Sequence, residues 1–222
     1  MILWLKSTED LSNAYKAIRR TPRQGHLSLE ETARQMDFIS VCRDCRSKCC
    51  SGARPPLSRK RALIISQYLS EKGSDLSVHV GPYSYPEEYS DGYCTLFDRG
   101  EGLCRAQTVK PETCIAGPIT FDIDRLNSVV EWYLKQEKIC PLAGVMARSP
   151  KMLDKHLDAA KKEIMCLIEE LPRNELLTIL RIEEEDTYKV GEDPLPRGVA
   201  LKLGKPSRAN RQEQRQRNHS CP

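Results

Sequence analysis

Apolar residues recur at helical spacing in several stretches of the chain. "STEDLSNAYKAIRR" opens on Ser7 as a cap, with Asp10 three residues on. "SLEETARQMDFISV" is stronger: Ser28 at N-cap and Glu31 at N3 form a capping box, and Leu29, Ala33, Met36 and Phe38 or Ile39 fall near one face. This second helix leads directly into "CRDCRSKCC". "SGARPP" then breaks the pattern. Ser58 caps "RKRALIISQYLSEKG", in which Ala62, Ile65, Tyr68 and Leu69 form a stripe and Gly73 supplies the stop. The longest periodic stretch is "SPKMLDKHLDAAKKEIMCLIEEL". It has Ser149 at N-cap, Pro150 at N1, and Met152, Leu153, Leu157, Ala160, Ile164, Met165 and Ile168 at helical spacing before Pro172. "NELLTILRI" predicts one more short helix.

Between these helices the period shortens. Residues 74 to 93, with their prolines and tyrosines, show no clean period and predict a loop. "YCTLF" and "LCRAQ" flank the Gly-bearing "DRGEG", a hairpin signal. "ITFDID" predicts a further strand, "SVVEWYLKQ" fits either strand or helix, and "ICPLAG" carries Cys140 into a turn. The pattern therefore predicts an α+β chain: a small cysteine-rich domain with short strands and a hairpin, packed against several helices. The expected parts are an N-terminal helical segment (1–41), a cysteine-cluster metal-binding domain (42–145), C-terminal helices packing on it (146–185) and a basic, disordered tail (186–222). No internal repeat is visible.

Composition narrows this picture. With 222 residues, 39% hydrophobic and 6% aromatic, the chain suits one domain with a modest core plus extras. The net charge of +4 is unevenly placed. From residue 196 onward Arg197, Lys202, Lys205, Arg208, Arg211, Arg215 and Arg217 face only Glu213, a local +6 that leaves −2 for the rest. Such a tail can neutralise phosphates and bind nucleic acid in a salt-dependent way. It carries no interleaved aromatics to stack bases, so that binding would be non-specific. An unidentified protein is the other expected partner. The opening "MILWLKSTED" is too short in apolar residues for a signal segment, and no stretch approaches the ~18 apolar residues of a membrane span. The expectation is a soluble, cytoplasmic chain with no membrane partner, in which thiols stay reduced.

Ten cysteines are then unusual. Cys166 lies in the apolar pattern of the long helix, where a free thiol packs as a small hydrophobe. Cys221 is next to last in the tail. The other eight, Cys42, Cys45, Cys49, Cys50, Cys94, Cys104, Cys114 and Cys140, all fall near turns or element ends. Disulfides would need an oxidising compartment. Plain buried thiols do not fit four cysteines in nine polar, basic positions. A thioredoxin-type pair at Cys42 and Cys45 would follow a strand, whereas here a helix precedes it. Metal or cluster binding fits best, because loops can aim several soft thiolates inward and offer them backbone N–H groups. Eight ligands would fill two zinc sites or two clusters, or one cluster with spare thiols. On an extended chain Cys49 and Cys50 point to opposite sides, so the pair would serve two sites or supply one ligand.

"CRDCRSKCC", "CTLFDRGEGLC", "KPETCIAGPITFD" and the later "CP" resemble the CxxCxxCC cysteine-cluster family, also called YkgJ-type, a zinc- or iron-chelating domain. The resemblance covers about residues 42 to 142 and matches all eight cysteines one by one. Phe97 and Asp98 fit its hairpin, and Pro111 and Pro118 flank Cys114 as in its motif. Two departures stand out: three residues separate Cys45 from Cys49 where the family name shows two, and Lys110 replaces the usual Arg. Neither removes a thiolate. The resemblance implies a metal- or cluster-binding protein with a structural, carrier or electron-transfer role. A related branch, the flagellin lysine-N-methylases, implies the alternative of a cluster-dependent protein lysine N-methylase-like enzyme.

Paired CxxC knuckles mark many zinc sites. Here only one CxxC occurs and the other spacings are loose, which favours an iron–sulfur cluster over zinc. Arg43, Arg46 and Lys48 could offset thiolate charge or simply form a solvated turn. No nucleotide-binding glycine motif and no nucleophile elbow is present, so catalytic residues remain unassigned. Cys42, Cys45 and Cys49 read C-x2-C-x3-C, the reverse of the radical S-adenosylmethionine order. Of His26, His79, His156 and His219, only His79, in the loop before the hairpin, is placed to approach the site.

Overall fold

The structure, a computed structural model, describes residues 38–46, 48–182, 184 and 186–204. The expected N-terminal helices with their capping box at Ser28, and Cys221 in the tail, lie outside the described residues. Residues 40–44 are helical and end in a turn at Arg46, followed by a 3-10 turn over Lys48–Cys50. Helix α1 (Arg59–Ser70) begins as its sequence predicts. Ser58 is extended, and its Oγ accepts from the Arg61 N–H at 3.1 Å.

The stretch expected to be a loop contains a small antiparallel hairpin, β1 (Val78–Val80) with β2 (Ser84–Pro86). Three residues per strand are too few to show a period, so the tyrosines and prolines concealed it. The second hairpin is as expected: β3 (Phe97–Asp98) pairs with β4 (Leu103–Cys104). Asp98 Oδ1 closes its turn by accepting from the N–H groups of Gly100 and Glu101, and Gly102 takes a φ of +68°. Helix α2 (Glu112–Ala116) follows.

Strands β5 (Ile119–Asp124) and β6 (Val129–Lys135) form the sheet proper, with Phe121 opposite Trp132. The ambiguous "SVVEWYLKQ" is thus a strand. Its alternation is two-fold, with Val130, Trp132 and Leu134 buried and their neighbours only partly so. Helices α3 (Pro141–Ala147), α4 (Pro150–Glu170) and α5 (Arg173–Ile179) come next.

The expected disordered tail from residue 186 is corrected over its first part. Residues Thr187–Pro194 form β7, which pairs along β6 from Lys135 to Val129, with a bulge at Trp132/Tyr133. Residues Arg197–Leu203 form helix α6, with Val199 and Leu203 buried. Lys202 Nζ donates to the carbonyls of Ile168 (2.8 Å), Glu169 (2.8 Å) and Leu171 (2.7 Å) at the end of α4. Arg125 donates to the Leu203 carbonyl at 3.0 Å. Apolar residues are as frequent in this segment as in the rest of the chain, but Gly191, Pro194, Pro196 and Gly198 interrupt their pattern. Its order comes from a strand partner and capping contacts that a composition window does not contain.

Two apolar clusters hold these elements. In the larger, Ile119, Ile123, Val130, Trp132 and Leu134 pack against Leu157, Ala160, Ile164, Leu167 and Ile168 of α4. In the smaller, Leu57, Ile65, Leu69, Leu96 and Ala106 surround Cys94. The architecture is α+β, as predicted. The long helix covers the sheet and runs against α2, so of the cysteine-bearing segments it meets chiefly the one that carries Cys114. Among the described residues no helix is long and apolar enough to cross a membrane.

Candidate metal site

The eight candidate cysteines come from five separated segments. Cys42 and Cys45 are one helical turn apart, and the Cys45 N–H donates to the Val41 carbonyl at 3.0 Å. Cys49 and Cys50 share the 3-10 turn. That turn lies against the second hairpin: the Cys94 N–H donates to the Cys50 carbonyl at 2.9 Å, and Ser51 bridges to Tyr93. The opening segment touches the far end of the same hairpin, where a Cβ on Gly102 would sit 3.7 Å from the Arg43 side chain. Cys104 pairs across that hairpin with Phe97. Cys114 is on α2, and Cys140 is the N-cap of α3.

Several backbone N–H groups lie near sulfur and favour its charged form. The N–H of Leu96 serves Cys94, that of Ala106 serves Cys104, and those of Ala143 and Leu142 serve Cys140. Each such bond stabilises a charged sulfur. At Cys140 the two groups belong to the first turn of α3, where the Ala143 N–H donates to the Cys140 carbonyl at 2.9 Å. This is the loop arrangement a thiolate site requires, and it recurs at three of the eight.

Cys49 and Cys50 depart from the opposite-sides expectation. The 3-10 turn brings the neighbouring thiols together, and the Cys50 S–H donates to Cys49. That hydrogen bond, with Lys110 and Lys135 nearby, pulls the Cys49 thiol down to about 6 against the effect of burial. Holding the shared proton pushes Cys50 up, and burial and the charges of Cys49, Cys114 and Cys104 add to this. Burial pushes Cys94 up to about 11. Desolvation by the surrounding protein likewise raises Cys42, Cys104, Cys140 and the surface-exposed Cys114, and neighbouring cysteines oppose ionisation at each. The thiols are therefore close enough to resist losing their protons together. A bound cation reverses that balance, since a coordinating thiol is deprotonated outright.

All nine described cysteines are free thiols. As the side chains stand, no three His, Cys, Asp or Glu residues among the described residues are arranged so as to hold a metal ion. The sulfurs are gathered in one region without converging on a single point. The donor set itself fits a soft metal: eight thiols, backbone donors at three of them, and lysine charge nearby. Cys166 lies apart, exposed on α4 with Lys60, Glu163, Glu169 and Glu170 as its charged neighbours.

The compensating cations differ from those the sequence suggested. Arg43, Arg46 and Lys48 are exposed and do not figure among the leading influences on any of these thiols. Lys110 instead acts on Cys42, Cys49, Cys104 and Cys114. Its position next to Pro111 in "KPETC" was the available signal. His79, the histidine expected near the site, is exposed in β1 with its ring 4.7 Å from that of Tyr85.

Two supporting residues escaped the sequence reading. His156, on α4, places Nε2 2.9 Å from the Ala116 carbonyl and 3.1 Å from that of Gly117, at the end of the helix that carries Cys114. Glu112, in the first turn of that helix, is buried and bonded to Ser58. Its Oε2 has no partner, and burial holds its carboxyl above the usual range. Both contacts join residues far apart in sequence.

Residues 41–141 match the CxxCxxCC family, described as "Putative zinc- or iron-chelating domain". The matched segment includes all eight candidate cysteines and excludes Cys166 and Cys221. No curated protein and no solved structure matches the chain.

Proposed function

Taking residues 41–141 as a CxxCxxCC-type domain, we propose that the chain binds metal through Cys42, Cys45, Cys49, Cys50, Cys94, Cys104, Cys114 and Cys140. We propose further that the metal is an iron–sulfur cluster in preference to zinc, with a structural, carrier or electron-transfer role. One observation supports the reading. The turn that carries Cys49 and Cys50 packs on the hairpin segment that carries Cys94 and Cys104, with the Cys94 N–H donating to the Cys50 carbonyl at 2.9 Å, so thiols about fifty residues apart in sequence share one neighbourhood. A core alone gains nothing from crowding groups that oppose one another's ionisation.

The chain's own residues would supply thiolates, orient them through the N–H groups of Leu96, Ala106, Leu142 and Ala143, and offset charge through Lys110. A cluster would supply one-electron redox chemistry, and zinc a rigid tetrahedral tie. The basic residues beyond Gly204 are proposed to give weak, salt-dependent attraction to nucleic acid.

The test is anaerobic purification followed by zinc, iron and acid-labile sulfide analysis and a visible spectrum. Iron with matching sulfide and broad visible absorption supports a cluster. Zinc with a silent spectrum transfers the same thiolates to a zinc site. Absence of both metals overturns the reading.

A further inference from the structure

We propose that Arg125 and Arg173 form a phosphate-binding site at the end of α6, and that its ligand is a backbone phosphate of a nucleic-acid strand. The inference rests on the attraction to nucleic acid proposed above for the basic residues beyond Gly204, and not on the metal reading.

Three separate elements build the site. Arg125 follows β5 in the turn to β6, Arg173 begins α5, and α6 ends at Leu203. Arg125 Nη2 donates to the Leu203 carbonyl at 3.0 Å and to the Gly204 carbonyl at 2.9 Å. Arg173 Nη2 donates to the same Leu203 carbonyl at 3.4 Å. Two guanidinium heads that share one oxygen atom lie within reach of a single phosphate-sized anion.

No acid neutralises the pair. Neither arginine pairs with a carboxylate among the described residues. The acid next in sequence, Asp124, is buried and engages both oxygens in the turn itself. Its Oδ1 accepts from the N–H groups of Leu126 (2.8 Å) and Asn127 (3.1 Å), and its Oδ2 from the Asn127 side chain at 2.6 Å. Burial and the Arg173 charge both hold Arg125 below its ordinary value, and no carboxylate opposes them. Like charges held together without a counterion favour a bound anion.

Capping the helix end accounts for one arginine but not for two, since Arg125 alone serves both carbonyls. Lys202 shows a cap that is complete: an ammonium has three N–H groups, and the carbonyls of Ile168, Glu169 and Leu171 take all of them. Arg125 Nε, by contrast, is buried without a partner, and the exposed Arg173 makes a single long bond. The planar fork of guanidinium N–H groups matches the oxygens of a phosphate.

The sequence that follows selects the source of that phosphate. From Gly204 the chain continues through Lys205, Arg208, Arg211, Arg215 and Arg217 against one acid, Glu213. Cations recurring every few residues suit a strand with a phosphate at every nucleotide, whereas a lone phosphate engages few of them. A lipid surface fits less well, because a helix lying on a membrane turns an apolar face outward. In α6 Val199 and Leu203 are buried, and Leu201 is the one large apolar residue left exposed.

The test measures binding of a fluorescent oligothymidylate to the full chain over a range of salt concentrations. Wild type should bind with an affinity that falls as salt rises. Arg125→Gln/Arg173→Gln should weaken binding several-fold at low salt and reduce the salt slope by about 0.7, the share of one phosphate on a single strand. The charge-matched control Lys151→Gln/Lys162→Gln, at two exposed lysines of α4, should keep wild-type affinity and slope. Arg125 also holds the end of α6, so Arg173→Gln is measured alone as well, and its binding should weaken in the same direction.

An equal loss in the lysine control, or no loss in the arginine variants, overturns the site while leaving the attraction of the residues beyond Gly204 in place. A wild-type chain that binds no oligothymidylate overturns that attraction and the site together. Binding to phosphatidylserine vesicles that Arg173→Gln loses, without binding to the oligonucleotide, would assign the pair to lipid headgroups and overturn the nucleic-acid proposal.

Discussion

Ser58 Oγ lies 2.5 Å from Glu112 Oε1, and the same hydroxyl accepts the Arg61 N–H that starts helix α1. One serine therefore caps one helix and holds the buried acid in the first turn of the helix that carries Cys114. Arg61 extends the link, since its guanidinium also pairs with Glu163 on α4. Ser58→Ala should lose the cap, worth about 1 kcal/mol, and leave Glu112 Oε1 with only the Arg61 guanidinium, 3.8 Å away, for a total of about 2–3 kcal/mol in urea denaturation. A loss no larger than the cap alone would show that Glu112 finds another donor.

His156 makes stability depend on pH. Burial holds its imidazole below the ordinary value, so the unfolded chain takes up this proton before the folded one does. The neutral ring's contribution is complete above the unfolded value of about 6.5 and is lost as pH falls toward the folded value. Melting temperature should therefore fall on acidification through this window more steeply in wild type than in His156→Gln. Parallel profiles would remove His156 as the cause.

Leu203 tests whether the segment after residue 186 belongs to the body. It is buried in the larger core, and the neighbouring Lys202 caps α4. Leu203→Ala should cost about 2–5 kcal/mol, the usual range for a core truncation. A chain ended at Asp186, lacking β7 and α6, should be less stable still. A change within about 0.5 kcal/mol for Leu203→Ala, as for an ordinary surface substitution, would show that α6 adds nothing to the core.

Metal removal should loosen the middle of the chain more than its sheet. The candidate ligands run from Cys42 to Cys140, whereas the core of β5, β6 and α4 is apolar and needs no metal. Anaerobic chelation should expose sites between residues 42 and 115, and the turn at Cys140, to protease while β5, β6 and α4 stay resistant. Cys166→Ser should leave metal content and protease resistance unchanged. Even digestion along the whole chain would contradict this division.

The sequence by itself determined the parts whose signal is local. Ser58 with the stripe of Ile65 and Leu69 marks α1, the α4 stripe repeats over several turns, and the Gly-bearing "DRGEG" marks the second hairpin. The eight cysteines stand out in the sequence as candidate ligands because four crowd into nine positions and the rest sit near turns. Tertiary structure decided what depends on partners distant in the chain. "SVVEWYLKQ" is a strand because β5 and β7 pair on its two sides, and residues 187–203 are ordered because β6 and the end of α4 receive them. Lys110, rather than the adjacent Arg43, Arg46 and Lys48, serves the thiols, and the 3-10 turn brings Cys49 and Cys50 together where an extended chain would part them. Periodicity and capping act within a few residues and can be read from sequence order. Charge compensation, strand pairing and the approach of distant thiols act through space, and only the fold sets those distances.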